Sequence, residues 1–145
     1  MMREIDPSRA LFESGIQGTL PKARASIRLP PYEEARNLIN RYLQHFNSIF
    51  PIFQEATLRR LVSRLYTEQE LLDSGSRASG YAAIAVGYKL QLWDTTNANQ
   101  VAAAAWTYFN AAMRLRPEIS VIGDNAESNF RNIQALSIMV RYQNR

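Results

Sequence analysis

Chemistry in this chain must come from serine, threonine, tyrosine, lysine, aspartate and glutamate, because it has no cysteine and a single histidine, His45. Those absences exclude disulfides, thiolate zinc centres, iron–sulfur clusters, a cysteine nucleophile and a multi-histidine relay. None of G-x-x-x-x-G-K-[ST], G-x-G-x-x-G, G-x-S-x-G or H-E-x-x-H occurs. The acid pairs Glu33/Glu34 and Glu68/Glu70 have the residue types for general acid–base work. Each is nevertheless expected in the first turn of a helix, where a carboxylate meets the positive end of the helix dipole. His45 falls at the end of the first expected helix, where a surface or capping role suits an imidazole. Lys89 lies among Tyr88, Leu90 and Trp93; a desolvated lysine is a candidate nucleophile, and a lysine snorkelling along its helix is the ordinary alternative. No catalytic residue, cofactor-binding residue or metal ligand follows from this set, and no enzyme activity is expected.

Two groups are more suggestive. Tyr81, Tyr88, Trp93, Trp106, Tyr108 and Phe109 gather on two consecutive expected helices, so they either line a pocket for a flat apolar ligand or form core. Arg59, Arg60 and Arg64 make the densest basic cluster, a candidate interaction surface or simply a solvated helix face. The net charge is +4, from 17 basic and 13 acidic residues, and the two halves of the chain share it evenly. With no basic arm, counterion-driven nucleic-acid binding through these arginines ranks last among the readings.

Positioning these residues falls to helices. The chain has 145 residues, 46% of them hydrophobic, enough for one domain with a real core. Residues 1–29 read as an extended or flexible leader with a short turn at Ser8–Phe12, and 30–145 as an incomplete helical domain. Tyr32, Ala35, Leu38, Ile39, Tyr42, Leu43 and Phe46 recur at helical steps after Pro31. Pro51 ends that helix in an apolar bend, Ile49–Phe53, whose large side chains are expected to insert into the core. A second helix spans about Thr57–Tyr66, and Thr67 with Glu70 reads as a capping box opening a short turn. Ser74–Gly80 (SGSRASG) reads as a flexible linker. A third helix then covers about Ser79–Trp93 and a fourth about Asn99–Arg116, where Pro117 stops it. In the fourth, the small residues Ala102–Ala105 would admit a close neighbour. Asp124 with Glu127 would cap a fifth helix whose inward face is Phe130, Ile133, Leu136 and Val140. No segment alternates long enough to be a strand. The fold class is all-α: about five main helices plus a short helical turn, in an irregular array. With no run of about 18 apolar residues and no signal-peptide pattern, the chain reads as soluble and intracellular.

In order, these segments resemble the fungal-specific transcription factor domain, the middle homology region of fungal zinc-cluster regulators. Leu29-Pro30-Pro31, then Ala35, Leu38-Ile39, Tyr42 and Phe46-Asn47-Ser48-Ile49-Phe50-Pro51-Ile52-Phe53 match its opening. Thr57-Leu58-Arg59-Arg60-Leu61 matches its next helix, Ala105–Ala112 its alanine-rich helix and Ile133–Met139, with Gln134-Ala135-Leu136, its later one. The match runs from about Leu29 to Tyr142. It departs in lacking the six-cysteine zinc cluster that precedes the domain in those regulators, so DNA contact is expected only indirectly. It also stops before the family's further helices, which suggests the N-terminal portion of the domain.

The resemblance implies a nuclear, non-catalytic regulatory or interaction module without cofactor. It would pack helix faces on a partner or on the rest of its domain, and a small-molecule effector fits the same picture. Uncovered apolar faces would favour a protein partner or self-association, with a dimer expected at micromolar concentration. The alternative is a small-molecule-binding protein or enzyme of a secondary-metabolite pathway built on the same scaffold.

Overall fold

The computed structural model describes residues 27–119 and 126–143. Among these there is no strand, so the expected all-α class holds. The helices are α1 (Tyr32–Arg41), α2 (Glu55–Glu68), α3 (Ser74–Gln91), α4 (Ala98–Arg114), the four-residue α5 (Arg116–Ile119) and α6 (Ala126–Gln143). The expected turn at Ser8–Phe12 and the cap at Asp124 lie outside the described residues, as does most of the expected leader.

The centre of the fold is α3. It packs most extensively on α4, then on α6 and α1, with α2 against its first half. Every residue from Gly75 to Tyr88 is buried. A helix surrounded in this way must be apolar or small almost all round, which SGSRASGYAAIAVGY satisfies except at the buried Arg77, whose guanidinium donates to the Tyr81 hydroxyl. The expected linker at Ser74–Gly80 is therefore corrected: it forms the first turns of the central helix. Asp73 starts that helix, its carboxylate accepting the Ser76 N–H at 3.0 Å. The glycines and serines there serve close packing rather than flexibility. A Cβ on Gly75, for example, would meet the backbone nitrogen of Asn132 in α6 at 3.0 Å.

Pro31 precedes α1 and Glu33 and Glu34 occupy its first turn, as the sequence pattern requires. Ala35, Leu38, Ile39, Tyr42 and Phe46 are buried, whereas Tyr32 is largely exposed. Beyond Arg41 the helix widens into a π-helical turn, Tyr42–Phe46, closed by the Asn47 N–H on the Tyr42 carbonyl at 2.8 Å. That turn delivers the chain into the apolar bend. Only Phe53 is fully buried there; Phe50 and Ile52 are half-buried, and Ile49 is 64% exposed, so the expectation that all insert is corrected.

Further corrections concern helix ends and faces. Thr67 lies inside α2, where its hydroxyl donates to the Ser63 carbonyl of the preceding turn, so it caps nothing. The short turn that follows is a 3₁₀ turn at Gln69–Leu71. The fourth helix breaks at Leu115, before Pro117, and the proline sits in the opening turn of α5, a position where its missing N–H costs no hydrogen bond. Of the small-residue strip on α4, Ala105 is buried and Ala104 partly so, while Ala102 and Ala103 are exposed.

The largest correction is the face of α6. Its buried stripe is Gln134, Ala135, Ile138 and Met139. Ile133 and Val140, expected inward, are 61% and 53% exposed, and Leu136 is half-buried. The side chain of Phe130 lies outside the described residues.

Candidate functional site

The extended segment 27–31 runs across the helices and is held by side chains that grip its backbone. The Gln69 side chain takes both polar groups of Ile27: its Oε1 accepts the N–H at 3.1 Å and its Nε2 donates to the carbonyl at 3.3 Å. Tyr108 in α4 donates its hydroxyl to the Arg28 carbonyl at 2.8 Å, and Tyr66 in α2 donates to the Pro30 carbonyl. An extended segment has no internal partners for its backbone groups, so these side chains supply them. Ile27 and Leu29 then pack on the core.

Below this strap lies a chain of hydroxyls. Tyr81 donates to the same Gln69 Oε1, and Arg77, only 2% exposed, donates through Nη2 to the Tyr81 hydroxyl at 3.3 Å. Tyr88 donates to the Glu34 carboxylate at 2.6 Å and stacks on Tyr108 with ring centres 5.9 Å apart. Together Arg28, Pro30, Glu34, Tyr88, Thr107 and Tyr108 edge an open groove of about 530 Å³.

Of the six aromatics singled out in the sequence, Tyr81, Tyr88, Tyr108 and Phe109 are buried. Among the described side chains of this set, Tyr88 and Tyr108 reach the groove. Phe109 instead stacks on Tyr142 of α6 at 4.1 Å. Trp106 is 60% exposed, on the outer side of α4; the Trp93 side chain lies outside the described residues. Two expected stability effects separate these roles. Tyr88→Ala removes a buried ring together with its charge-assisted bond to Glu34, and should cost about 3 kcal/mol in urea unfolding. Trp106→Ala should stay within about 0.5 kcal/mol of the parent protein.

The arginine cluster is engaged locally. Arg59 pairs with Glu55 at 2.9 Å and donates to Asn40 Oδ1 at 2.7 Å, and Arg64 pairs with Glu68. Arg60 is exposed. Surface i,i+4 pairs of this kind contribute a few tenths of a kcal/mol each and leave less free charge for a polyanion. Lys89 is also occupied: its Nζ donates to the Tyr142 carbonyl at 3.2 Å and lies 4.4 Å over that ring, tying α3 to the end of α6. His45 is exposed and edges a polar hollow beside the Arg41–Asp94 ion pair, whose atoms are 3.0 Å apart. No group of three or more metal-ligating side chains occurs among the described residues.

Burial raises the pKa of Tyr42, Tyr66, Tyr81, Tyr88, Tyr108 and Tyr142, and Tyr66 is pushed up to about 12. For Tyr88 the bond to Glu34 adds to the rise, and for Tyr66 the neighbouring Tyr108 and Glu34 do. The fold thus favours the neutral phenols. The unfolded chain loses these protons first, near pH 10, so stability is undiminished below that value and falls as pH rises from about 10 towards 12. Tyrosinate absorbance from these six phenols should therefore appear late and together with loss of helix. A gradual titration of the six centred near pH 10 in a still-helical protein would contradict this.

Sequence reasoning missed the residues that organise the fold's irregular parts. Asn47 Oδ1 accepts the N–H groups of Ile52 and Phe53 at 3.0 and 3.1 Å, and its Nδ2 donates to the Phe53 carbonyl at 2.8 Å. Gln134 donates to the Ile52 carbonyl at 2.9 Å while accepting from Arg131 at 2.8 Å. The Phe-Pro-Ile-Phe bend and the Gln-Ala-Leu segment, separate in the sequence, are thus one joint. A polar side chain inside an apolar motif was the available signal.

The chain is similar to two fungal proteins, each named "ABC-transporter-regulating transcription factor". It is 31% identical to the one from Aspergillus oryzae and 29% identical to the one from Aspergillus fumigatus, over 108 residues in each case. Those residues are 74% of this chain and 12% of each relative, so the chain spans about an eighth of the length of the curated relatives it matches. Both relatives bear the names of transcription factors of fungi, the kind of protein whose motifs the sequence resembles. No family model and no solved structure matches the chain. No helix among the described residues is long and apolar enough to cross a membrane.

Proposed function

We propose that this chain is a non-catalytic regulatory and interaction module of a fungal transcription regulator, corresponding to the N-terminal part of the middle homology region. The observation that carries the reading is the similarity to the two Aspergillus regulators over 74% of the chain. Two features of the molecule support it. Several titratable side chains that could do chemistry have structural partners: Lys89 bonds to Tyr142, Glu34 to Tyr88, and Arg59 and Arg64 to neighbouring glutamates. The described helices also leave large apolar side chains in solvent, which suits packing against another protein surface. On this reading the module works in the nucleus, and its effect on DNA is indirect, through a zinc cluster that this chain does not contain.

The test is a fusion of the whole chain to an unrelated DNA-binding domain in a fungal host carrying a matched reporter. Reporter transcription should differ from that of the DNA-binding domain alone by about threefold or more, roughly 0.7 kcal/mol of effective coupling. Identical transcription with equal protein levels would refute the reading.

A second reading, small-molecule sensing, is favoured by the groove beneath residues 28–31, where Glu34 and the stacked Tyr88–Tyr108 pair meet. A carboxylate beside aromatic rings suits an organic cation. Glu34→Gln should abolish cation-induced thermal stabilisation without unfolding the chain; the absence of any such stabilisation in the parent protein would remove this reading.

A further inference from the structure

The helix α6 carries two apolar stripes. Gln134, Ala135, Ile138 and Met139 face the core. Ile133, Leu136 and Val140, at spacings of three and four, form a second stripe on the outer side. Ser137 lies within that stripe, but its hydroxyl donates to the Ile133 carbonyl at 2.8 Å, so it adds no polar demand. A helix apolar over more than half its circumference is normally covered on both sides. Here the outer stripe is one wall of a groove of about 760 Å³, whose other wall is the apolar bend with Ile49, Phe50 and Ile52. Asn47 holds the bend in shape and Gln134 ties it to α6, so hydrogen bonds set both walls of the groove.

Among the described residues the charged one lining the groove is Arg141, exposed at its rim with the guanidinium 4.3 Å over the Phe50 ring. A second copy paired symmetrically through the same stripe brings no carboxylate to it. Antiparallel pairing of two α6 helices about Leu136–Ser137 would set Arg141 opposite Asn132, and both copies carry the same net charge of +4. Charge complementarity favours an occupant with a carboxylate at that end. We propose that the groove binds an amphipathic helix of a partner protein. This helix would present aliphatic side chains at i, i+3 or i+4, and i+7, with an Asp or Glu meeting Arg141. The proposal rests on the interaction-module reading above and names its surface.

The test uses two helical peptides of about four turns with one identical leucine face, flanked by glutamates in one and lysines in the other. The whole chain should bind the acidic peptide with a Kd of about 10–100 µM and the basic one at least about tenfold more weakly. Arg141→Glu should reverse that order, and Ile133→Ser with Val140→Ser should weaken both by about tenfold or more. These positions are exposed, and helix content measured by circular dichroism should be unchanged. Equal binding of both peptides, binding by neither, or binding unaffected by the variants would overturn the proposal. So would a dimer that Ile133→Ser and Val140→Ser dissolve, since a second copy would then fill the groove. If the peptides bind but the reporter fusion is silent, the regulatory reading fails and the groove stands. If the fusion responds but neither peptide binds, the groove proposal fails and the regulatory reading stands.

Discussion

Replacing Gly87 with valine is expected to destabilise the protein by about 3 kcal/mol, and replacement with alanine by about 1–3 kcal/mol. Gly87 lies where α3 crosses α1. A Cβ there would come within 2.6 Å of the Leu38 carbonyl oxygen, 2.8 Å of the Leu38 Cβ and 3.0 Å of its carbonyl carbon. Two of those three atoms are backbone, so no rotamer change relieves the contact; α1 must move away. Moving it disturbs Leu38, Ile39 and Tyr42, all buried on one side of the core. Alanine's better helix propensity, about 1 kcal/mol over glycine, works against the clash and sets the sign of the test. Urea unfolding should show a clear loss for Gly87→Ala; an unchanged or raised midpoint would mean that the two helices are not in that close contact.

Asn47→Ala should cost about 2–4 kcal/mol, more than a single hydrogen bond, because one side chain satisfies three backbone groups of the bend. Without it, the Ile52 and Phe53 amides lose their acceptor and the Phe53 carbonyl loses its donor. Phe53, buried in the core, is then held only by packing. Asn47→Asp retains the acceptor and should cost less than alanine. Hydrogen exchange at the Ile52 and Phe53 amides should accelerate in Asn47→Ala well beyond the change at the centre of α3. Equal protection in parent and variant would show that the bend is held by other means.

Legibility in the sequence follows the physics of each segment. Helix α1 is plain because its apolar residues recur at helical steps and Pro31 precedes them. Helix α4 is plain for a similar reason, since Val101, Ala105, Tyr108 and Ala112 share its buried side. The start of α3 misleads because Ser74–Gly80 has the composition of a linker. Glycine and serine do loosen an exposed chain, but against Asn132 and Leu65 they are the residues small enough to fit. Thr67 resembles a cap because the spacing of a capping box also occurs where one helix ends, here across the last residues of α2 and the 3₁₀ turn after it. Helix α6 is the most informative miss. Its strongest periodic stripe, Ile133–Leu136–Val140, is real, but Ile133 and Val140 face solvent and only Leu136 reaches the edge of the core. Periodicity detects a face that needs covering and does not say by what. The inner face, built on Gln134 and Ala135 with Ile138 and Met139, is less apolar in composition and gives a weaker signal.

The candidate site is less legible than the fold. Tyr88 and Tyr108 stand out in the sequence and do meet, stacked, beside Glu34. Trp106 groups with them by helical proximity, yet it points outward because it sits one helical step away from the Ala105–Tyr108 side. The grip of Gln69, Tyr66 and Tyr108 on the 27–30 backbone depends on contacts across 36 to 80 residues of sequence, which no local pattern carries.

The most direct measurement of the central claim is reporter transcription from the DNA-binding fusion carrying the intact chain, its Ile133→Ser/Val140→Ser variant or its Trp106→Ala variant, at matched protein levels. If the chain regulates by packing the outer face of α6 on a partner, the intact and Trp106→Ala fusions change transcription equally, and the double variant behaves like the DNA-binding domain alone. A response from the double variant as large as that of the intact chain, or no response from any fusion, would contradict the account.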